Sequence, residues 1–134
     1  MDNLTKEQRR KNMQHIHSKG TLPERMIMNE LKRLKIYFAS NVSTIEGKPD
    51  IVFRRKKVVI FIDSDFWHGH PTRCKMPKSN IEYWEKKINK NKLRDKEVTL
   101  TLRRRGWKVI RLWEYDITHS FPKSFHRILV AICK

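Results

Sequence analysis

Two apolar runs of strand length sit in the middle of this chain, and the residues at their outer ends restrict what it can become. Ile51-Val52-Phe53 follows Gly47-Lys48-Pro49-Asp50, and the basic turn Arg54-Arg55-Lys56-Lys57 leads into the run Val58 to Ile62. Beyond it come Asp63-Ser64-Asp65-Phe66-Trp67-His68-Gly69-His70 and then Cys74. Strand-length runs joined by a short polar turn predict a β-hairpin. One strand opens on a carboxylate, and the other ends in carboxylates, aromatics and histidines. Acidic groups gathered at strand ends are costly unless they hold a cation or do chemistry. In a chain rich in Lys and Arg, the natural substrate for such a cation is a phosphodiester.

The charge balance supports that reading. The chain has 31 Lys+Arg against 14 Asp+Glu, a formal net charge of +17, which calls for a polyanionic partner, nucleic acid first. A membrane surface is the rival. No apolar run approaches the roughly 20 residues of a transmembrane helix, and the N-terminus has no signal-peptide core, so no membrane association is expected. The two cysteines, Cys74 and Cys133, lie far apart without framework spacing, which predicts a reducing, cytoplasmic setting. With 134 residues, 38% of them hydrophobic, the chain is expected to form one domain with a real core rather than a disordered tail.

Read in order, residues 1–19 form a basic arm carrying one helix, opened by a capping pattern at Thr5-Lys6-Glu7-Gln8 and apolar only at Met13 and Ile16. After Gly20, Thr21-Leu22-Pro23-Glu24 is a second capping box, and Ile27, Leu31 and Leu34 mark a helical face ending near Lys35. Ile36 to Val42 reads as a strand, then a loop leads through Pro49 to the hairpin at 50–62. Ile81, Trp84, Ile88, Asn91, Asp95, Val98 and Leu102 share one stripe of a long helix that Gly106 stops. Trp107 to Trp113 is a buried-looking strand, and Phe121 to Cys133 a final amphipathic helix. The expected order is α, α, β, β, β, α, β, α.

These pieces resemble the very-short-patch-repair (Vsr) mismatch endonucleases. The likeness is carried by Lys11-Asn12-Met13, Gly47-Lys48-Pro49-Asp50, Phe66-Trp67-His68, Pro77-Lys78-Ser79-Asn80, the helix Trp84…Lys87-Ile88…Asn91…Arg94-Asp95, Gly106-Trp107 and Trp113-Glu114. It implies an α/β, restriction-endonuclease-like fold of the PD-(D/E)XK type, a mixed sheet flanked by helices with a basic N-terminal arm. It also implies a prokaryotic, nucleoid-associated enzyme, expected to be monomeric, that nicks one strand of duplex DNA beside a T·G mismatch.

For the chemistry, hydrolysis of a phosphodiester needs a cation to stabilise charge on the phosphate oxygens and help make hydroxide. Mg²⁺ accepts one or two carboxylates and leaves its other positions to water and phosphate. The resemblance makes Asp50 that ligand, together with the backbone carbonyl of Ile62; without it, Asp50 reads as a residue opening a strand after Pro49. Asp63-Ser64-Asp65 is not followed by the lysine that activates water in many related nucleases, so another base is needed. Histidine, with an ordinary pKa of about 6.5, suits that task, and the resemblance assigns it to His68. Asp63 would position water or a second cation. Glu24 stands either near the metal through water or simply in its capping box.

Asp65, His70 and Cys74 have the spacing of a zinc set. The family normally has cysteine at the position of Asp65 and cysteine or histidine at that of Tyr115. With both replaced, the alternatives are zinc on a reduced set or a loop held by packing and hydrogen bonds. The resemblance assigns Phe66, Trp67 and Trp84 to a wedge in the major groove, where stacking recovers the cost of separating a base step. Met13 and Ile16 would enter from the minor groove. Trp84 reads equally as core. Lys87 and Asn91 would read the displaced bases of the wobble pair, Asn91 offering both a donor and an acceptor. Asp95 reads as structural. Arg9, Arg10, Lys11 and Arg103 to Arg105 contact phosphate or solvate the surface. Two alternatives stand beside this reading: a same-fold site-specific restriction or nicking nuclease, and a non-catalytic DNA-binding module, for which Asp50→Ala would change nothing.

Overall fold

The computed structural model describes residues 21–65, 68–72, 74 and 77–133. The N-terminal arm with its expected helix, Met13 and Ile16, and the aromatic pair Phe66 and Trp67 lie outside the described residues.

Helix α1, Leu22–Arg33, starts with Pro in its first turn, where the missing N–H costs nothing. Thr21 is its N-cap, but the hydroxyl makes no capping bond. The helix buries Ile27 and Leu31 completely, whereas Leu34, expected on the same face, is 39% exposed. The cause is the chain reversal at its end: Lys35 takes a positive φ, and the Ile36 amide turns back to the Leu31 carbonyl.

The strand expected over 36–42 shrinks to β1, Ala39–Ser40. Asn41 is left-handed at φ 51°, which ends the extended run, and its amide donates instead to the Asp50 carbonyl. The hairpin forms as expected, with β2 at Ile51–Phe53 and β3 at Val58–Asp63, antiparallel and with Ile51 opposite Ile60. Strand β4, Lys108–Trp113, runs parallel to β3, pairing Val58 with Lys108 and Asp63 with Trp113. The sheet order is β1-β2-β3-β4.

The hairpin strands alternate between two apolar layers, which is why they read as continuous runs in the sequence. Ile51, Phe53, Val58, Ile60, Ile110 and Leu112 face one core. Helix α1, a short α3 at Glu114–His119 and α4 at Phe121–Cys133 cover that side through Ile27, Leu31, Ile117, Phe125 and Ile128. Val52, Val59 and Phe61 face the other side, against Val98 and Leu102 of the long helix α2, Ile81–Arg104. Helix α3 has no counterpart in the expected order. Its six residues bury only Ile117, too little for a periodic signal.

The expected stripe on α2 holds only in part. Ile88, Val98 and Leu102 are buried, Asn91 and Asp95 are half-buried, but Ile81 is 46% exposed. The N-terminal turns of the helix therefore project past the core. Strand β4 is likewise less buried than its sequence suggests, with only Ile110 and Leu112 enclosed. Among the described residues, no helix is long and apolar enough to cross a membrane.

Candidate active site

Asp50 precedes β2 and Asp63 ends β3, so antiparallel pairing brings both carboxylates to the same end of the sheet. There they open on a cavity of about 690 Å³, lined also by Glu24, Ile62, His68, Lys87, Asn91, Asp95, Arg111 and Glu114. The cavity is framed by the sheet end, the start of α1 and the middle of α2.

The Ile62 amide donates to Asp50 Oδ2 at 2.7 Å, fixing the carboxylate against the backbone of the neighbouring strand. Burial drives the Asp50 pKa up to about 8, opposed by the Ile62 amide and reinforced by a hydrogen bond with Glu24 and the field of Asp63. Glu24 is only 6% exposed and turns inward to Asp50, so the capping box alone does not account for it. Asp63 is also raised above the ordinary carboxylate range, first by burial, although His68 and Arg111 pull it down. Burial raises Glu114 to about 7, with Asp65, Glu24 and Asp63 adding repulsion.

Such crowding is what a hard divalent cation relieves. One buried carboxylate beside a strand backbone, with room for water and phosphate, fits the donor preferences of Mg²⁺. It does not make a complete protein cage: among the described residues, no three His, Cys, Asp or Glu side chains are grouped to hold an ion by themselves.

His68 sits in the turn after β3, its amide donating to the Ser64 carbonyl at 3.1 Å. Its Nδ1 hydrogen-bonds Asp95 Oδ2 and lies 3.7 Å from Asp63 Oδ1. Burial disfavours the charged ring, but Asp95 and Asp63 outweigh it, and the pKa rises above its ordinary value. The next residue keeps this turn close to α2. Gly69 has φ 62°, and a Cβ there would stand 2.7 Å from Ile88 Cγ2. Only glycine lets the backbone pass so near the helix that carries Asp95.

Asp95 engages the imidazole directly, a contact that agrees with its structural reading and ties the turn to α2. Its signal was a polar residue on an apolar stripe. Two further groups escape the sequence reading. Arg111 interrupts the apolar run of β4, and its guanidinium donates to Asp63 at 3.0 and 3.3 Å, to Thr99 Oγ1 at 2.8 Å and to the Asp95 carbonyl at 3.2 Å. It also lies 4.3 Å from the Phe61 ring centroid. One cation thus ties the acidic end of β3 to the helix turn that holds His68. Glu114 is the other: it belongs to the Trp113-Glu114 piece of the likeness, but the sequence reading gave it no role.

Arg111→Met should lower unfolding free energy by roughly 3 kcal/mol, because it takes from the buried Asp63 carboxylate the cation that hydrogen-bonds it and leaves only His68 beside it. Urea denaturation measures this, and Arg111→Lys should recover part of the loss.

Of the recognition residues, Lys87 and Asn91 line the cavity. Trp84, one turn earlier on α2, lies outside its lining and belongs to neither core cluster; its ring meets Tyr83 edge-on at 5.0 Å. The expected zinc residues do not converge as a ligand set. Backbone bonds shape this loop instead, from the His70 amide to the Asp65 carbonyl at 2.8 Å and from the Cys74 amide to the His70 carbonyl at 3.3 Å. His70 Nδ1 accepts from the Thr72 amide, and its ring packs edge-on against Trp113. Burial raises the Cys74 thiol, with Asp65 adding to the shift and Lys92 opposing it. Tyr115 stacks on His119. The donors do not fit a closed tetrahedral site.

The family model described as DNA mismatch endonuclease Vsr matches residues 1–75, more than half of the chain. The chain belongs to the Vsr family. That matched segment holds Glu24, Asp50, Asp63 and His68, and individual relatives extend the likeness through α2 and β4. A type II nicking enzyme of Neisseria meningitidis serogroup C, V.NmeDIP, is 43% identical over 134 residues, covering 98% of this chain and 90% of that protein. V.HpaIIP of Haemophilus parainfluenzae, also a type II nicking enzyme, is 40% identical, with 93% and 90% covered. The DNA mismatch endonuclease Vsr of Escherichia coli is 34% identical, with 79% of this chain and 69% of that protein covered. Vsr-family membership makes this chain a DNA endonuclease.

Proposed function

We propose that this Vsr-family protein nicks one strand of duplex DNA beside a T·G mismatch, with Mg²⁺ as cofactor, as a single restriction-endonuclease-like domain acting as a monomer. The observation that carries the reading is the convergence of Asp50, Asp63 and the Asp95-bound His68 on one cavity. The names of the relatives, mismatch endonuclease and nicking enzyme, support the same activity.

Asp50 and the Ile62 carbonyl would hold the cation, which would stabilise charge on the phosphate oxygens and acidify water. Asp95 fixes the His68 ring through Nδ1, so the proton of the attacking water is taken at Nε2. Arg111 keeps Asp63 beside that ring, and Asp63 orients the water. Glu24 steadies Asp50 from the first turn of α1. Lys87 and Asn91 test the displaced bases from the cavity wall. Trp84, with Phe66 and Trp67, stacks against the opened step from the major groove, and Met13 and Ile16 enter the minor groove.

A base must be neutral to accept a proton. Because Asp95 and Asp63 raise the His68 pKa, the single-turnover rate should climb with pH through a midpoint above about 6.5. Asp95→Asn should move that midpoint towards acid and lower the plateau by up to roughly 10²-fold. A pH–rate profile of both proteins checks this.

The specificity is tested with end-labelled duplexes carrying each single mismatch, with and without Mg²⁺. A nick in one strand of the T·G duplex alone supports the proposal. Equal cutting of every duplex containing one fixed sequence would favour a site-specific nicking enzyme, a reading that the names of several relatives also allow. No cutting of any duplex would leave only DNA binding.

A further inference from the structure

The end of the sheet remote from the cavity is as cationic as the cavity is acidic. The turn Arg54–Lys57 between β2 and β3 supplies four cations, and Arg103–Arg105 at the end of α2 supply three more, all of them exposed. Neither segment contains a carboxylate, and among the described residues no ion pair with one joins any of the seven. A helix C-terminus gains from a basic residue or two in its last turn, but that effect does not extend to a neighbouring hairpin.

The two segments form one surface. Lys57 Nζ donates to the Arg105 carbonyl at 2.9 Å and lies 5.5 Å from the Trp107 ring centroid, while the Lys57 carbonyl accepts from the Lys108 amide at 2.8 Å. Lys57 is thereby spent on pinning the turn to the helix end. Arg54, Arg55, Lys56 and Arg103–Arg105 are left projecting into solvent from a fixed frame. Holding like charges so close costs self-repulsion, which a row of phosphates would relieve.

Position decides the kind of partner. Strand β3 runs from this turn to Asp63, six residues or roughly 17–20 Å along its length, and the surface lies at the far end from the cavity. The acidic cavity and the cationic surface thus stand at opposite ends of the sheet, about one duplex width apart. We infer that the Arg54–Lys57 turn and the end of α2 form a second phosphate-binding surface, which takes a separate segment of duplex DNA while the cavity holds the first. The inference rests on the DNA reading of the cavity. Two such surfaces let the protein pass directly between DNA segments without first dissociating.

The test uses the full chain, saturated with a short unlabelled T·G duplex in EDTA and titrated with a fluorescent matched duplex at low salt. The wild type should take up the second duplex. In Arg54→Glu/Arg55→Glu/Lys56→Glu, affinity for it should fall at least roughly tenfold, with a salt slope shallower by about 0.9 for each phosphate no longer neutralised. Binding and nicking of the first duplex should change less than about twofold, and the neutral Arg54→Gln/Arg55→Gln/Lys56→Gln form should fall between. Saturation of the wild type at one duplex per protein would overturn the inference. So would equal loss of first-duplex binding in the variants, or no loss of second-duplex binding. If neither protein nicks but the second duplex still depends on the turn, the nuclease reading fails and this one stands.

Discussion

Asp50→Asn should abolish nicking while leaving DNA binding intact or tighter, and should make the protein more stable. The three effects share one cause. Burial, Glu24 and Asp63 all oppose a charge on Asp50, and its pKa of about 8 records that opposition. An amide removes the charge yet keeps an acceptor for the Ile62 amide. It also removes the anionic ligand, and taking away one such transition-state interaction costs roughly 10²–10³-fold or more in rate.

The sign of the stability effect follows from linkage. Without metal, the native state holds a proton on Asp50 that the unfolded chain releases near its ordinary pKa of 3.8. Wild-type stability should therefore fall as pH rises from about 4 to about 8, and the variant should lose that part of the dependence. At pH 8 in EDTA, Asp50→Asn should melt roughly 3 °C or more above the wild type. A lower melting temperature would mean that Asp50 is a structural residue.

His68→Ala should reduce the single-turnover rate by roughly 10²–10⁴-fold at saturating duplex, the range spanned by a positioned general base. Affinity for DNA should stay close to that of the wild type, since the ring lies within the cavity and is held by Asp95 rather than presented to solvent. The residual activity should also lose the pH limb expected above about 6.5. Retention of that limb would assign proton transfer to another group, with Glu114, raised to about 7, the first to examine.

The hairpin and the long helix were legible because their burial is periodic or continuous: 51–53 and 58–62 face two cores, and Ile88, Val98 and Leu102 keep helical spacing. The ends were not. Asn41, of a type that tolerates left-handed backbone, was the one hint that the strand would be cut to two residues, and Lys35 gave none. At the site, Asp50, Asp63 and His68 were visible as charged groups at strand ends. Their partners were hidden because they come from elsewhere in the chain. Asp95 lies 27 positions from His68, and Arg111 lies 48 from Asp63. An arginine inside an apolar strand was a usable signal, for a charge there needs a partner. Zinc spacing in the 65–74 loop left two readings open, metal or packing, because three donors at suitable intervals do not specify that their side chains turn to one point.

At the centre of the proposed mechanism, Asp50 and the Ile62 carbonyl would hold one cation and His68 would take the proton of the attacking water. Crystals of the protein with a T·G duplex, soaked in Mn²⁺ as a scattering substitute for Mg²⁺, test it by anomalous diffraction. The account predicts a peak on the Asp50 carboxylate and the Ile62 carbonyl, present in His68→Ala and absent in Asp50→Asn. A peak elsewhere, or the same peak in Asp50→Asn, would contradict it.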